Sequence, residues 1–176
     1  VLDYFSKEIE LKKETLYNCK MVQAQDGVSV ESDTLGALLY PLEGDTFALD
    51  MVIKPERYHE FGIALHVDKE LETGYFLRMN PKNQLVAWDM WPRGEQGRYQ
   101  WQIKGDVPYQ IETARKLPKA EEYRVHIIKE KDICVVYIND EIVLSTRMYN
   151  HKDGYAGIYV VQGNVKLIQY KEKRSE

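Results

Sequence analysis

Apolar residues recur at every second position along most of this chain. Phe47, Leu49, Met51 and Ile53 alternate with Thr46, Ala48, Asp50 and Val52. Phe61, Ile63, Leu65 and Val67 alternate with Gly62, Ala64 and His66. Tyr75, Leu77 and Met79 alternate with Phe76, Arg78 and Asn80, and Tyr123, Val125 and Ile127 with Arg124, His126 and Ile128. A period of two puts the two sets on opposite faces of an extended chain, so each run predicts a half-buried antiparallel strand. Turn chemistry separates the runs. Asp26-Gly27, Asn139-Asp140 and Gly163-Asn164 tolerate positive φ and read as tight hairpin connections, and Pro81-Lys82-Asn83 closes another pair. Only Lys7–Leu16 and Lys116–Glu122 have helical character. Roughly twelve strands at regular spacing predict an all-β fold, an antiparallel β-sandwich or concanavalin-like jelly roll. Residues 1–176 are expected to form one such domain.

One interval breaks the rhythm. About 35 residues separate the strand ending near Ala87 from the one starting near Tyr123, a long connection for a sandwich. A strand at Val107–Thr113 is expected within it. The interval opens with WDMWPRGEQGRYQW, which holds all three tryptophans between Trp88 and Trp101. Trp88 continues the strand Leu85–Asp89 and is assigned to the core. Trp91 and Trp101, with Tyr99, are the candidate surface anchors, and Asp89, Arg93 and Arg98 their candidate polar partners. Indole faces stack on the C–H faces of sugars while nearby charged groups bond hydroxyls. The same residue types also suit docking on protein, and such rings can pack under their own loop. Protein contact and self-packing together stand ahead of sugar binding.

Composition narrows the chemistry. A net charge of −4 gives no general attraction to nucleic acid. No apolar run approaches the roughly 20 residues of a membrane helix, so neither nucleic acid nor membrane is an expected partner. Thirteen tyrosines and three tryptophans against four phenylalanines suit sheets with a partly wet face. Cys19 and Cys134 read as buried thiols, with a single bridge left open. The chain starts at Val1 without Met and is read as a processed chain or a piece of something longer, which leaves its location undetermined.

No cofactor is expected. His59, His66, His126 and His151 form no HxH or HExxH pair, and His66 and His126 fall on the polar sides of their strands as solvated or hydrogen-bonded imidazoles. GxSxG and phosphate-loop patterns are absent. Jelly-roll glucanases carry Glu-x-Asp-x-x-Glu on one strand; here Glu31-Ser-Asp33 and Glu43-Gly-Asp45 each lack the third carboxylate and read as solvated turn acids.

The last third, YRVHIIKEKDICVVYINDEIVLSTRMYNHKDGYAGIYVVQGNVKL, resembles the C-terminal β-sandwich of family 32 glycoside hydrolases, the invertase, levanase and fructanase group. The matching residues are Asp132, Asn139-Asp140, Thr146-Arg147-Met148-Tyr149 and Gly154 to Gly163, and FGIALHVDKELETGYFLRM is similar to the family's central hairpin. Asn-Asp supplies a tight turn, and Arg147 is placed to reach a carboxylate. The family's catalytic Asn-Asp-Pro-Asn-Gly, Arg-Asp-Pro and Glu-Cys stretches are all absent. The resemblance therefore implies a non-catalytic module that packs on a catalytic glycosidase propeller and contacts carbohydrate, a fructan or another sugar. Two alternatives stand beside it. One is a free-standing lectin-like carbohydrate-binding module, and the other a jelly-roll hydrolase or lyase with an unrecognised carboxylate pair.

Overall fold

The computed structural model describes residues 4–91 and 109–175. Among these residues thirteen strands appear in chain order: β1 (Lys7–Glu8), β2 (Thr15–Tyr17), β3 (Lys20–Ala24), β4 (Gly27–Pro41), β5 (Thr46–Arg57), β6 (Glu60–Val67), β7 (Gly74–Asn80), β8 (Leu85–Trp91), β9 (Tyr109–Gln110), β10 (Tyr123–Glu130), β11 (Ile133–Ile138), β12 (Ile142–Arg147) and β13 (Tyr155–Arg174). Every strand pair is antiparallel. The all-β sandwich expected from the alternation is the observed architecture.

Two long strands, β4 and β13, run together and fold the ladder into two layers. The first half of β13 pairs β6, with Tyr159 opposite Gly62 and Val161 opposite Glu60. Its second half pairs β5, with Asn164 opposite Arg57 and Tyr170 opposite Met51. The exchange occurs at a register shift between Val161 and Gly163, where Gln162 takes φ 49°. A bulge bends a strand and sharpens its twist, which lets one strand serve both layers. The first sheet runs β2-β4-β13-β6-β7-β8-β9, and the second runs β3-β4-β13-β5-β10-β11-β12.

Between the layers lies the core that the alternation marked out. Phe47, Leu49, Met51 and Ile53 of β5 meet Phe61, Ile63 and Leu65 of β6, with Tyr75, Leu77, Trp88, Tyr123, Val125 and Ile127. Phe61 and Tyr123, from opposite sheets, approach to 6.0 Å between ring centroids. Trp88 is fully buried, as expected.

Several expectations fail for identifiable reasons. Lys7–Leu16 is not helical: β1 adds to β13, Ile9 N donates to Glu172 O at 3.0 Å, and Leu11 packs on the core. Pairing with an open strand overrides local helix propensity there. Lys116–Glu122 is irregular, because Leu117 is buried and Tyr123 Oη donates to Pro118 O while accepting from Ala120 N. Gly163-Asn164 is no hairpin turn but the bend within continuous β13. Glu31 and Asp33 lie on β4, not in a turn. His66 is buried, since its φ of 52° turns the ring inward onto Phe47; its Nδ1–H donates to Asp153 O at 2.8 Å. His126, by contrast, is a hydrogen-bonded imidazole as expected, joined to Asp50 across β5 and β10.

The turn at Asn139-Asp140 is as expected. Both residues have positive φ, 51° and 56°, and Asn139 Oδ1 accepts from Arg124 N at 2.8 Å. Cys134 is buried and Cys19 half-buried, and both are free thiols. Of the expected strand at Val107–Thr113, β9 pairs β8, and the chain then follows the same edge: Ile111 N donates to Trp88 O, and Arg115 bridges Val86.

Candidate functional site

The outward face of the first sheet departs from the usual pattern of polar residues in water. Its rows can be read from the register. One row crosses Leu39, Gly157, Ala64, Phe76 and Asp89; the next crosses Ala37, Tyr159, Gly62, Arg78 and Ala87. The small residues lower the middle of the face, and larger ones stand around it. Ala37, Leu39, Ala64, Val67, Leu71 and Tyr159 form a second buried cluster outside the main core, with Tyr17, Leu35, Phe76, Tyr155 and Val161 packed against it.

Gly62 shows how the floor is made. A Cβ there would stand 1.9 Å from Leu77 O and 2.8 Å from Cε1 of Tyr159. Glycine therefore lets the Tyr159 ring lie over its neighbouring strand, where Phe76 meets it edge-on at 5.6 Å. The Tyr159 hydroxyl donates to Glu60 Oε1 at 3.0 Å. Burial, reinforced by Glu60, raises the Tyr159 pKa well above the usual phenol range, so the hydroxyl remains a donor.

Beyond Tyr159 the face carries charge. Asp89 is only 6% exposed although it points away from the core, and Arg78 Nε lies 3.6 Å from its Oδ2. That Nε is buried and has no hydrogen-bond partner. Burial pushes the Asp89 carboxyl up, Arg78 draws it down, and Glu60 adds to the rise. A buried carboxylate and a buried guanidinium nitrogen without a hydrogen bond both cost free energy, and such groups concentrate at functional sites.

Glu60, Phe76, Asp89 and Tyr159 line a groove of about 480 Å³ with Tyr17, Leu35, Glu70, Leu71, Glu72, Trp91 and Val161, and Arg78 adjoins it through Asp89. The β6–β7 connection forms one wall. Asp68 Oδ1 accepts from the backbone N–H groups of Glu72 and Thr73 at 2.6 and 2.9 Å, and Leu71 takes φ 57° and is buried. Trp91, half-buried at the end of β8, pairs Gly74 just after this connection and also lines the groove.

Of the six residues picked from sequence, Asp89 and Trp91 are brought together in this groove. Arg93, Arg98, Tyr99 and Trp101 lie outside the described residues. Sequence reasoning missed Glu60, Phe76, Arg78 and Tyr159, which come from β6, β7 and β13. A signal for them existed: the alternate positions of β6 hold Gly62 and Ala64, which are small rather than polar. Among the described residues, no group of three or more His, Cys, Asp or Glu stands close enough to hold a metal ion.

No protein-family model and no curated protein matches the chain. Solved structures share its fold. The carbohydrate binding module CBM66 from Bacillus subtilis superimposes with a TM-score of 0.75 at 17% identity, over 93% of this chain and 96% of that one. The exoplasmic/lumenal domain of VIP36, in a form bound to Ca2+ and Man3GlcNAc, gives 0.62 at 11% identity over 93% and 84%. A Bacillus subtilis protein with a galectin-like fold gives 0.65 at 8% identity over 97% of each. The chain is thus a β-sandwich of the architecture that these solved structures share.

Proposed function

We propose that the chain is a carbohydrate-binding β-sandwich module and that the groove on the first sheet is its binding site. The observation that carries this reading is Asp89, a carboxylate nearly sealed on the outward face of a sheet, beside an unsatisfied Arg78 nitrogen and between aromatic walls. Sugars offer what such a surface lacks. Their hydroxyls donate to Asp89 and Glu60, with Arg78 beside Asp89 holding its charge, while C–H faces stack on Trp91 and Phe76. The shared fold of a carbohydrate binding module supports the same reading.

The finer assignment is to an accessory module of a family-32-like glycosidase, docked on a catalytic propeller with a fructan as one ligand. It rests on Asn139-Asp140, Thr146-Arg147-Met148-Tyr149 and the missing catalytic stretches. In this reading the isolated chain hydrolyses neither sucrose, levan nor inulin.

Isothermal titration of the chain with fructans, glucans, galactans and mannose oligosaccharides tests binding. One class is expected to bind, and Asp89→Ala to weaken it by about tenfold or more, as loss of a charged hydrogen bond does. Silence from every sugar contradicts the proposal. The groove also favours one other reading, a hydrolase, because Asp89 and Glu60 both line it. Turnover of any of these sugars, abolished by Asp89→Asn and by Glu60→Gln, would replace binding with catalysis.

A further inference from the structure

The second sheet ends in a strand that is unusually open to pairing. Among the described residues strand β12 pairs only β11, and its register runs without a bulge from Ile142 to Arg147. It holds no proline and no lysine, the residues that normally blunt an edge. The other terminal strands of the two sheets differ: β2 and β9 span three and two residues, and β3 begins with Lys20. Beside the β12 edge, Ile133, Tyr137 and Val143 are exposed apolar side chains on the outward face of the β11–β12 hairpin.

Hydrogen-bond parity says which groups are on offer. Met148 N donates to Asp132 O at 2.7 Å. In an antiparallel ladder the bonded pairs alternate, so Ile142, Leu144 and Thr146 turn their backbone groups toward β11. Val143, Ser145 and Arg147 then present theirs outward. Among the described residues, no backbone partner meets them.

The side chains select what fits. Arg147 is exposed, Glu141 sits just before the strand, and neither has an ion pair among the described residues. An antiparallel copy of β12 centred on Leu144 brings Val143 opposite Ser145 of the second copy, so that these outward-facing residues exchange both backbone bonds. The same register places Arg147 opposite Glu141 of the second copy, twice by symmetry, with both side chains on one face. Shifting the centre to Val143 or Ser145 preserves the backbone bonds but separates these charges.

From this we infer that β12 is a self-association edge: two copies of the chain join their second sheets through β12, in the register that pairs Arg147 with Glu141. A two-fold axis makes such a contact self-complementary and closed. Opposite charges facing across strands favour the register, and like charges disfavour it.

Sedimentation equilibrium of the purified chain across the micromolar range tests the inference. The wild type is expected to dimerise. Ser145→Pro removes an outward-facing amide without touching the bonds to β11, and is expected to give a monomer that keeps its circular dichroism spectrum. Arg147→Glu and Glu141→Arg each set like charges face to face and are expected to weaken the dimer by about tenfold. The double exchange, Glu141→Arg with Arg147→Glu, restores the attraction and the dimer. A wild-type monomer at every concentration would leave the edge to some other chain and overturn the assignment. A dimer indifferent to Ser145→Pro and to the charge reversals would overturn it equally, by placing the contact elsewhere.

Discussion

His66 couples the packing of the sandwich to pH. Burial lowers its pKa from 6.5 to about 4, with Lys129 adding to the effect and the Asp153 carbonyl opposing it. The unfolded chain therefore binds a proton more readily than the folded one between those values. Stability contributed by the neutral ring is complete above pH 6.5 and is lost as the pH falls toward about 4, on the order of 3 kcal/mol over the full interval. His66→Asn keeps a side chain that tolerates the positive φ but removes the titration. Urea denaturation across this range should show a flatter acid limb in the variant than in the wild type; identical slopes would contradict the account. In the sequence, His66 reads as the polar member of an alternating strand. Its inward turn depends on a local φ that the period-two pattern does not encode. The groove residues were obscured for a related reason. Asp89 and Trp91 stood out within one aromatic stretch, whereas Glu60, Phe76, Arg78 and Tyr159 meet only through strand register.

Strand β13 shows what was legible among the elements and what was not. Gly163-Asn164 looks like a hairpin turn in the sequence because a bend and a turn call for the same residue types. Only the pairing partners distinguish them: β6 before the bend and β5 after it. The glycine is required for a close approach. A Cβ at Gly163 would stand 1.8 Å from Arg57 O, so Gly163→Ala forces β5 and β13 apart where the two sheets join. The expected cost is about 2–4 kcal/mol, read as a lower urea midpoint. A variant as stable as the wild type would show that the bend needs no bare backbone. By contrast, the Asn139-Asp140 turn was readable because its conformation is set locally by two residues that accept positive φ.

The whole molecule presents two distinct surfaces. The first sheet turns a pocketed face of aromatic and acidic groups outward, and the second ends in the unblunted β12 edge. The core between them was largely written in the alternation of Phe47 to Ile53, Phe61 to Val67 and Tyr123 to Ile127, since burying one face of each strand leaves few other arrangements. Which outward face is functional depends on where charge is buried, and burial is a property of the assembled sheets. The most direct test is to follow backbone amide resonances while titrating the chain with the saccharide that binds best. The account predicts shifts concentrated at Glu60, Phe76, Arg78, Asp89, Trp91 and Tyr159 and abolished by Asp89→Ala. Shifts confined to the second sheet, or none with any saccharide, would contradict it.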